Sequence, residues 1–164
     1  MSQTVGIPAA RRIARLVLDT NVWLDWLVFM DAGVTPIKEA VARGNARIFI
    51  STTCLEELRR VLGYPLSRFT LDTQAQTAAL AQCRAIVCDA HDCTEPHLIS
   101  ALPRCEDPDD QMFLELARDC HADALITKDR DLLSLATGKA TPLPFRIITP
   151  REFAKDTCYT TTIG

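Results

Sequence analysis

The alternation of apolar and polar segments along the chain predicts an α/β fold. Four short apolar runs have the length and composition of buried strands, at residues 15–19, 46–51, 123–127 and 144–149. The segments between them have helical character, at residues 21–30, 36–43, 52–62, 71–87, 107–120 and 129–136, with a helical turn at 150–154. The clearest is 52–62, because Leu55, Leu58, Val61 and Leu62 form one apolar stripe at helical spacing.

Strands that alternate with helices indicate a parallel sheet covered on both faces. We therefore expect one three-layer α/β/α sandwich with a short parallel sheet over residues 15–154. An N-terminal arm at 1–14 would precede it, and a flexible tail at 155–164 would follow it. Ligands of such sheets bind beyond the carboxyl ends of the strands, so functional residues are expected at that edge.

Composition narrows the class of protein. The chain has 164 residues, is 48% hydrophobic and carries a net charge of −3, so it can form one domain and is not a generally basic nucleic-acid coat. No apolar run reaches the roughly 18 residues of a membrane span. The first 15 residues lack the apolar core of a signal peptide, so we expect a cytoplasmic protein with no membrane association.

Seven cysteines in a chain expected in the cytoplasm predict reduced thiols, most of them small core residues. Cys88, His91, Cys93 and His97 have the residue types of a zinc site, but their spacing is irregular. We favour a loop that happens to contain these residues over a metal site.

Acidic residues gather at one predicted edge of the sheet. Asp19 ends the first strand, and Asp129 closely follows the third. Glu57 lies in the helix after the second strand, and Asp110 lies in the helix before the third. Crowded carboxylates repel each other, which makes most sense if a cation lies among them. An all-oxygen set of ligands favours Mg²⁺ or Mn²⁺ over Zn²⁺.

Each of these acids also has an ordinary explanation as a helix cap. Asp107 stands before Pro108 as an N-cap would, and Asp129 could cap the next helix, with Asp131 in its first turn. Asp110 lies three residues inside the helix, at the border of its apolar face. We therefore assign Asp107 as the cap and Asp110 as the ligand.

Helical geometry distinguishes the two neighbouring glutamates. Glu57 borders the apolar stripe of its helix, whereas Glu56 lies nearly opposite the stripe and faces water. We expect Glu57 to reach the edge of the sheet, and Glu56 to form an exposed pair with Arg60, four residues on.

Four segments together resemble the PIN-domain family of nucleases. They are LVLDTNVWLDWL from Leu16, ISTTCLEELRRVL from Ile50, EDPDDQMFLELA from Glu106 and ADALITKDRDLL from Ala122. They occur in the family's order and span most of the chain. Their residue sequences look most like those of bacterial and archaeal PIN proteins regarded as toxins of toxin–antitoxin pairs.

The resemblance implies a PIN-like fold with an acidic metal site that hydrolyses RNA phosphodiesters. The family's four acids fall on Asp19, Glu57, Asp110 and Asp129, which agrees with the choices made from geometry. The implied cofactor is Mg²⁺ or Mn²⁺, and the implied partners are an RNA substrate and a cognate antitoxin.

Further polar residues flank the four acids. Asn21 and Thr127 are either supports of the metal site or strand-end caps. Basic residues beside the acids either bind RNA phosphates or are solvated helix charges: Arg59, Arg60, Lys128 and Arg130.

Residues 22–30 form an apolar stretch with two tryptophans. Trp23 and Trp26 either stack RNA bases or, as their helical spacing favours, make core or subunit contacts. The stretch would suit a homodimer or antitoxin interface.

Two other functions remain open from the sequence. A PIN fold could bind RNA or a protein without turnover. A Mg²⁺-binding receiver-like signalling domain also has acids at strand ends, but it would need paired acids after strand one and a late strand ending in Lys. Here Asp19 stands alone, and the last strand ends in Thr149.

Overall fold

A computed structural model of the chain describes residues 12–68, 70–89, 101–138 and 142–156. It contains five strands: β1 (Ala14–Leu18), β2 (Ala46–Ile50), β3 (Cys88–Asp89), β4 (Ala124–Ile126) and β5 (Arg146–Ile148). It contains the following helices: α1 (Thr20–Leu27), α2 (Thr35–Ala42), α3 (Thr52–Leu62), α4 (Thr73–Ile86), α5 (Gln111–Asp119), α6 (Arg130–Leu135) and α7 (Pro150–Lys155). The predicted α/β class is confirmed.

All strand pairs of the sheet are parallel, and the strand order is β3-β2-β1-β4-β5. The strand that the sequence did not predict is β3, whose two residues are too few for a periodic pattern. The order rules out the receiver-like alternative, because receiver domains place their strands in the order 2-1-3-4-5. Here the strand order reverses between β1 and β4, and the crevice at such a point is the usual ligand site.

The sheet is the centre of the hydrophobic core. β1, β2 and β4 are almost entirely apolar and buried, as expected for strands covered on both faces. Helix ends are fixed by side-chain caps: Ser51 accepts from the Cys54 N–H at the start of α3, and Thr149 forms a capping box with Glu152 at α7. These caps hold the helices at the carboxyl edge of the sheet.

The predicted helix over 107–120 consists of two pieces. A 3-10 turn, Pro108–Asp110, leads into α5, which begins at Gln111. Proline at the first position of the turn favours this tight start, because its fixed φ suits the first turn of a helix.

Most side chains of the apolar stretch 22–30 are buried in the core, and the expectation of a homodimer or antitoxin interface there stays a prediction. Trp23 and Trp26 are buried, with ring centroids 5.7 Å apart, so neither is available to stack an RNA base. α1 ends at Leu27, and Phe29 and Met30 are exposed. The core interpretation of the two tryptophans is therefore correct.

No helix in the described part of the chain is long and apolar enough to cross a membrane. Cys88 lies in β3 and is half-buried, whereas His91, Cys93 and His97 lie outside the described residues.

Candidate active site

The acidic residues Asp19 and Asp129 lie at the point where the strand order reverses. Leu18 of β1 pairs with Ile126 of β4, so the residues that follow these two strands are neighbours. The Asp19 N–H donates to the Ile126 carbonyl at 3.0 Å and continues the ladder one residue further. The backbone at Asp19 is therefore held in place by the sheet.

Thr127 joins the two acids through its hydroxyl group. The hydroxyl donates to Oδ2 of Asp19 at 2.7 Å and accepts from the Asp129 N–H at 2.9 Å. Thr127 is fully buried and Asp19 is 4% exposed, so this link is shielded from water. The hydroxyl thus fixes one oxygen of Asp19 relative to the backbone of Asp129.

Asp129 is both a helix cap and a member of the acidic site. Its Oδ1 accepts from the N–H groups of Asp131 and Leu132, at 2.8 and 3.0 Å, and begins α6. Asp131 itself is exposed. The two interpretations of Asp129 are compatible, because capping occupies Oδ1 and leaves Oδ2 for another contact.

The acids before α5 divide into a helix cap, Asp107, and a residue available to the site, Asp110. Asp107 caps the 3-10 turn, accepting from the Asp109 N–H at 2.9 Å. Asp110, at the end of that turn, makes no side-chain capping bond to α5 and is half-buried. Its carboxylate is therefore available to the site.

Asp19, Asp110 and Asp129 interact electrostatically. Burial raises the pKa of Asp19, and the charge of Asp129 raises it further, against hydrogen bonds from Thr127 and from the N–H groups of Thr20 and Asn21. Burial raises the pKa of Asp110 to about 6, and the charges of Asp19 and Asp129 add to this effect. We name these three residues the aspartate cluster; its members repel each other when ionised.

Glu57 lies at the periphery of the aspartate cluster. Burial raises the pKa of the Cys54 thiol, and the charges of Asp19 and Glu57 raise it further, so both acids lie near that thiol. The Glu57 carboxylate accepts from Arg60, at 2.6 Å from Nη2 to Oε2 and 2.8 Å from Nη2 to Oε1. The same guanidinium donates to the Tyr64 hydroxyl at 3.0 Å.

This pairing corrects two expectations about α3. Arg60 binds Glu57, three residues before it, rather than Glu56, and its guanidinium is also held by the Tyr64 hydroxyl. Glu56 is exposed and pairs with Arg59 at 3.1 Å. Arg59 and Arg60 are thus engaged by glutamates rather than solvated alone. The side chain of Glu57 is 18% exposed against 55% for Glu56, so Glu57 is the more interior of the two.

The other two basic candidates, Lys128 and Arg130, stand on either side of Asp129 in the sequence. Lys128 is half exposed and forms an ion pair with Asp25 of α1, whose side chain is 9% exposed. Arg130 is exposed, and it lines the same cavity as Asn21, Lys128 and Asp129. The Asn21 side chain is exposed, while its N–H supports Asp19.

Sequence reasoning missed Asp25 and Cys105. Asp25 interrupts the apolar run of α1 one helical turn after Asn21, and a buried acid at that position signals a partner. The Cys105 thiol has its pKa raised to about 11 by burial and by the charges of Asp110, Asp107 and Asp129. It is therefore protonated at neutral pH, and no spacing pattern in the sequence places it there.

The chemistry of these side chains fits a hard divalent cation. Carboxylate oxygens are the ligands that Mg²⁺ and Mn²⁺ prefer, and a cation would relieve the repulsion that raises the pKa of Asp19 and Asp110. Within the described residues, no three His, Cys, Asp or Glu side chains are close enough to form a ready-made metal group.

A family model described as "PIN domain" matches residues 15–131 of the chain. The match covers all the segments that contribute to the aspartate cluster, as well as Glu57. Neither the comparison with curated proteins nor the comparison with solved structures gives a match.

Proposed function

Because the chain belongs to the PIN-domain family, whose members are generally nucleases, we propose that it is a Mg²⁺- or Mn²⁺-dependent endoribonuclease. The observation that carries the proposal is the aspartate cluster, in which burial and mutual repulsion raise the pKa of Asp19 and Asp110. A fold that needed these acids only as caps would not bring them together at the point where the strand order reverses.

Each residue of the cluster has a distinct task in this proposal. Asp19 and Asp129 hold the cation directly or through water, and Thr127 keeps one oxygen of Asp19 oriented. Asp110 supplies the opposite carboxylate of the site. Bound Mg²⁺ supplies Lewis acidity toward the phosphate oxygens and lowers the pKa of bound water.

Glu57 is the proposed acceptor of the proton from the attacking water, or the residue that orients it. The nearness of both Glu57 and Asp19 to the Cys54 thiol supports this role. Arg60 donates to both oxygens of Glu57 and holds the carboxylate in place.

We further propose that the ribonuclease is the toxin of a toxin–antitoxin pair. The residue sequences of the four acidic segments support this role, since they look most like those of PIN proteins regarded as such toxins. In this proposal the partners are an RNA substrate and a small antitoxin protein.

The test is cleavage of RNA by the purified protein with EDTA, Mg²⁺ or Mn²⁺. We expect cleavage only with a divalent cation, and a loss of several orders of magnitude for Asp19→Asn, which preserves volume but removes a ligand charge. Asp72→Asn is the matched control, because Asp72 caps α4 and Asn caps equally well.

Melting temperatures provide a second readout of metal binding. Mn²⁺ should raise the melting temperature of the wild type, because it binds only the folded state, and should raise that of Asp19→Asn much less. RNA binding with no cleavage under any divalent cation would instead support a binding module without turnover.

A further inference from the structure

A cavity of about 540 Å³ opens beside Asp129 and is not explained by the aspartate cluster. It is lined on one side by Asn21, Asp25 and Phe29, and on the other by residues 128–131. Its volume lies within the range of small-ligand pockets. Because Asp129 belongs to both the cavity and the cluster, a group bound in the cavity lies next to the proposed reaction site.

One face of α1 and of the turn that follows it forms a wall of this cavity. Asn21 and Asp25 lie one helical turn apart on the same face of α1, and Phe29 stands two residues after the end of that helix. The helical part of the wall, from Asn21 to Asp25, is about 6 Å long. Phe29 therefore lies beside the reaction site rather than within it.

The backbone fixes the Phe29 ring at the cavity. Its N–H donates to the Leu24 carbonyl at 3.0 Å, and the Asp31 N–H returns to the Asp25 carbonyl at 2.9 Å. Met30 between them has a φ of 52°, which turns the chain sharply after α1. The ring is left 38% exposed instead of joining the core.

The charges around the ring are mixed, with three acids and two bases among the lining residues. Asp25 pairs with Lys128, Asp129 belongs to the aspartate cluster where a cation is proposed, and Arg130 adds an exposed guanidinium beside Asp131. Among the lining residues in the described part of the chain, Phe29 is the sole apolar one. Protein interfaces have an apolar centre, whereas single-stranded nucleic acids bind to exposed aromatic rings beside cations.

We propose that this cavity binds a nucleotide next to the cleaved bond, with its base stacked on Phe29 and its backbone on Lys128 and Arg130. This inference rests on the proposed ribonuclease function and adds a subsite to it. A base in a duplex is already stacked and paired, so the subsite takes an unpaired base.

The first experiment measures the dissociation constant of a fluorescein-labelled single-stranded RNA in EDTA, where the proposed reaction does not occur. We expect Phe29→Ala to weaken binding by roughly tenfold, and Phe29→Tyr, which keeps the ring, to bind within about twofold of the wild type. Met30→Ala is the matched control, because Met30 is the exposed neighbour that does not line the cavity. Melting temperatures verify that each variant is folded.

The second experiment replaces each base of the RNA in turn by an abasic site. One position should weaken binding to the wild type and to Phe29→Tyr but not to Phe29→Ala, since the same stacking contact is already lost. Equal effects of Phe29→Ala and Met30→Ala, or abasic effects that are identical in wild type and Phe29→Ala, would overturn the subsite.

These binding measurements are separable from the proposed reaction. If the abasic position depends on Phe29 while no divalent cation supports cleavage, the subsite stands and the ribonuclease proposal fails. If the wild type cleaves RNA and Phe29→Ala has an unchanged KM, the ribonuclease proposal stands and the subsite is refuted.

Discussion

Removing the charge of Asp110 should stabilise the protein, because that charge opposes folding. The pKa of Asp110 is raised from 3.8 to about 6 in the folded chain, chiefly by burial and then by repulsion from Asp19 and Asp129. Between these pH values the folded state binds more protons than the unfolded state. Stability therefore falls as the pH rises from about 4 to about 6, and the loss is complete above that window.

The size of the effect follows from the shift. A difference of about two pKa units corresponds to about 3 kcal/mol at 1.36 kcal/mol per unit. Asp110 is only half-buried, so solvent screening reduces this to about 1–2 kcal/mol. Asp110→Asn removes no cap, because the carboxylate makes no capping bond to α5. At pH 7.5 the free energy of unfolding of the variant should thus be about 1–2 kcal/mol higher than that of the wild type. Near pH 4 the two proteins should be equally stable.

Urea denaturation followed by tryptophan fluorescence measures this difference, since Trp23 and Trp26 are buried in the folded chain. The series runs from pH 4 to pH 7.5 in EDTA, with Glu115→Gln as the control, because Glu115 is an exposed acid on the same helix. A variant that is no more stable than the wild type at pH 7.5, or whose advantage persists unchanged at pH 4, would refute the reasoning. Added Mg²⁺ should narrow the gap, because it stabilises the wild type more.

Two other substitutions examine the supports of the site. Thr127→Val removes the hydroxyl between Asp19 and Asp129, so we expect a loss of about 1–3 kcal/mol in the free energy of unfolding and a large fall in cleavage rate. Both effects should be smaller in Thr127→Ser, which keeps the hydroxyl. An unchanged cleavage rate in Thr127→Val would contradict the role of this hydroxyl. Glu57→Gln should abolish cleavage, whereas the cleavage rate of Glu56→Gln should remain within a few-fold of that of the wild type. Neither substitution should change the melting temperature much, because exposed ion pairs contribute little to stability. The reverse pattern of cleavage rates would assign the role to Glu56.

The strands and the first acids could be predicted because they depend on local patterns. A buried parallel strand is a continuous apolar run, and the residue that ends it must lie at the carboxyl edge. Asp19 and the segment around Asp129 follow from that rule alone. β3 could not be predicted in this way, because two residues show no periodicity and their pairing depends on where β2 lies.

The partners of the ion pairs were less predictable from the sequence than the places of the acids in the fold. The preference of Arg60 for Glu57 over Glu56 depends on rotamers and on the Tyr64 hydroxyl that fixes the guanidinium, and neither is visible in the helical pattern. The pair between Asp25 and Lys128 joins residues more than 100 positions apart, so it becomes evident only once β1 and β4 are adjacent. The tryptophans, in contrast, lie in the core as their helical spacing favours.

The hydrogen bonds of the site show why repelling acids remain in place. Asp19 is fixed by the ladder between β1 and β4 and by the Thr127 hydroxyl, and Asp129 is fixed by the two N–H groups that it caps. These contacts orient one oxygen of each acid without neutralising its charge. Asp110 has no comparable capping bond, so it is the member of the aspartate cluster whose carboxylate can adjust to a cation. The core backbone thus keeps the acids close together although they repel each other. A bound cation would relieve this repulsion, so it should raise the stability of the folded protein.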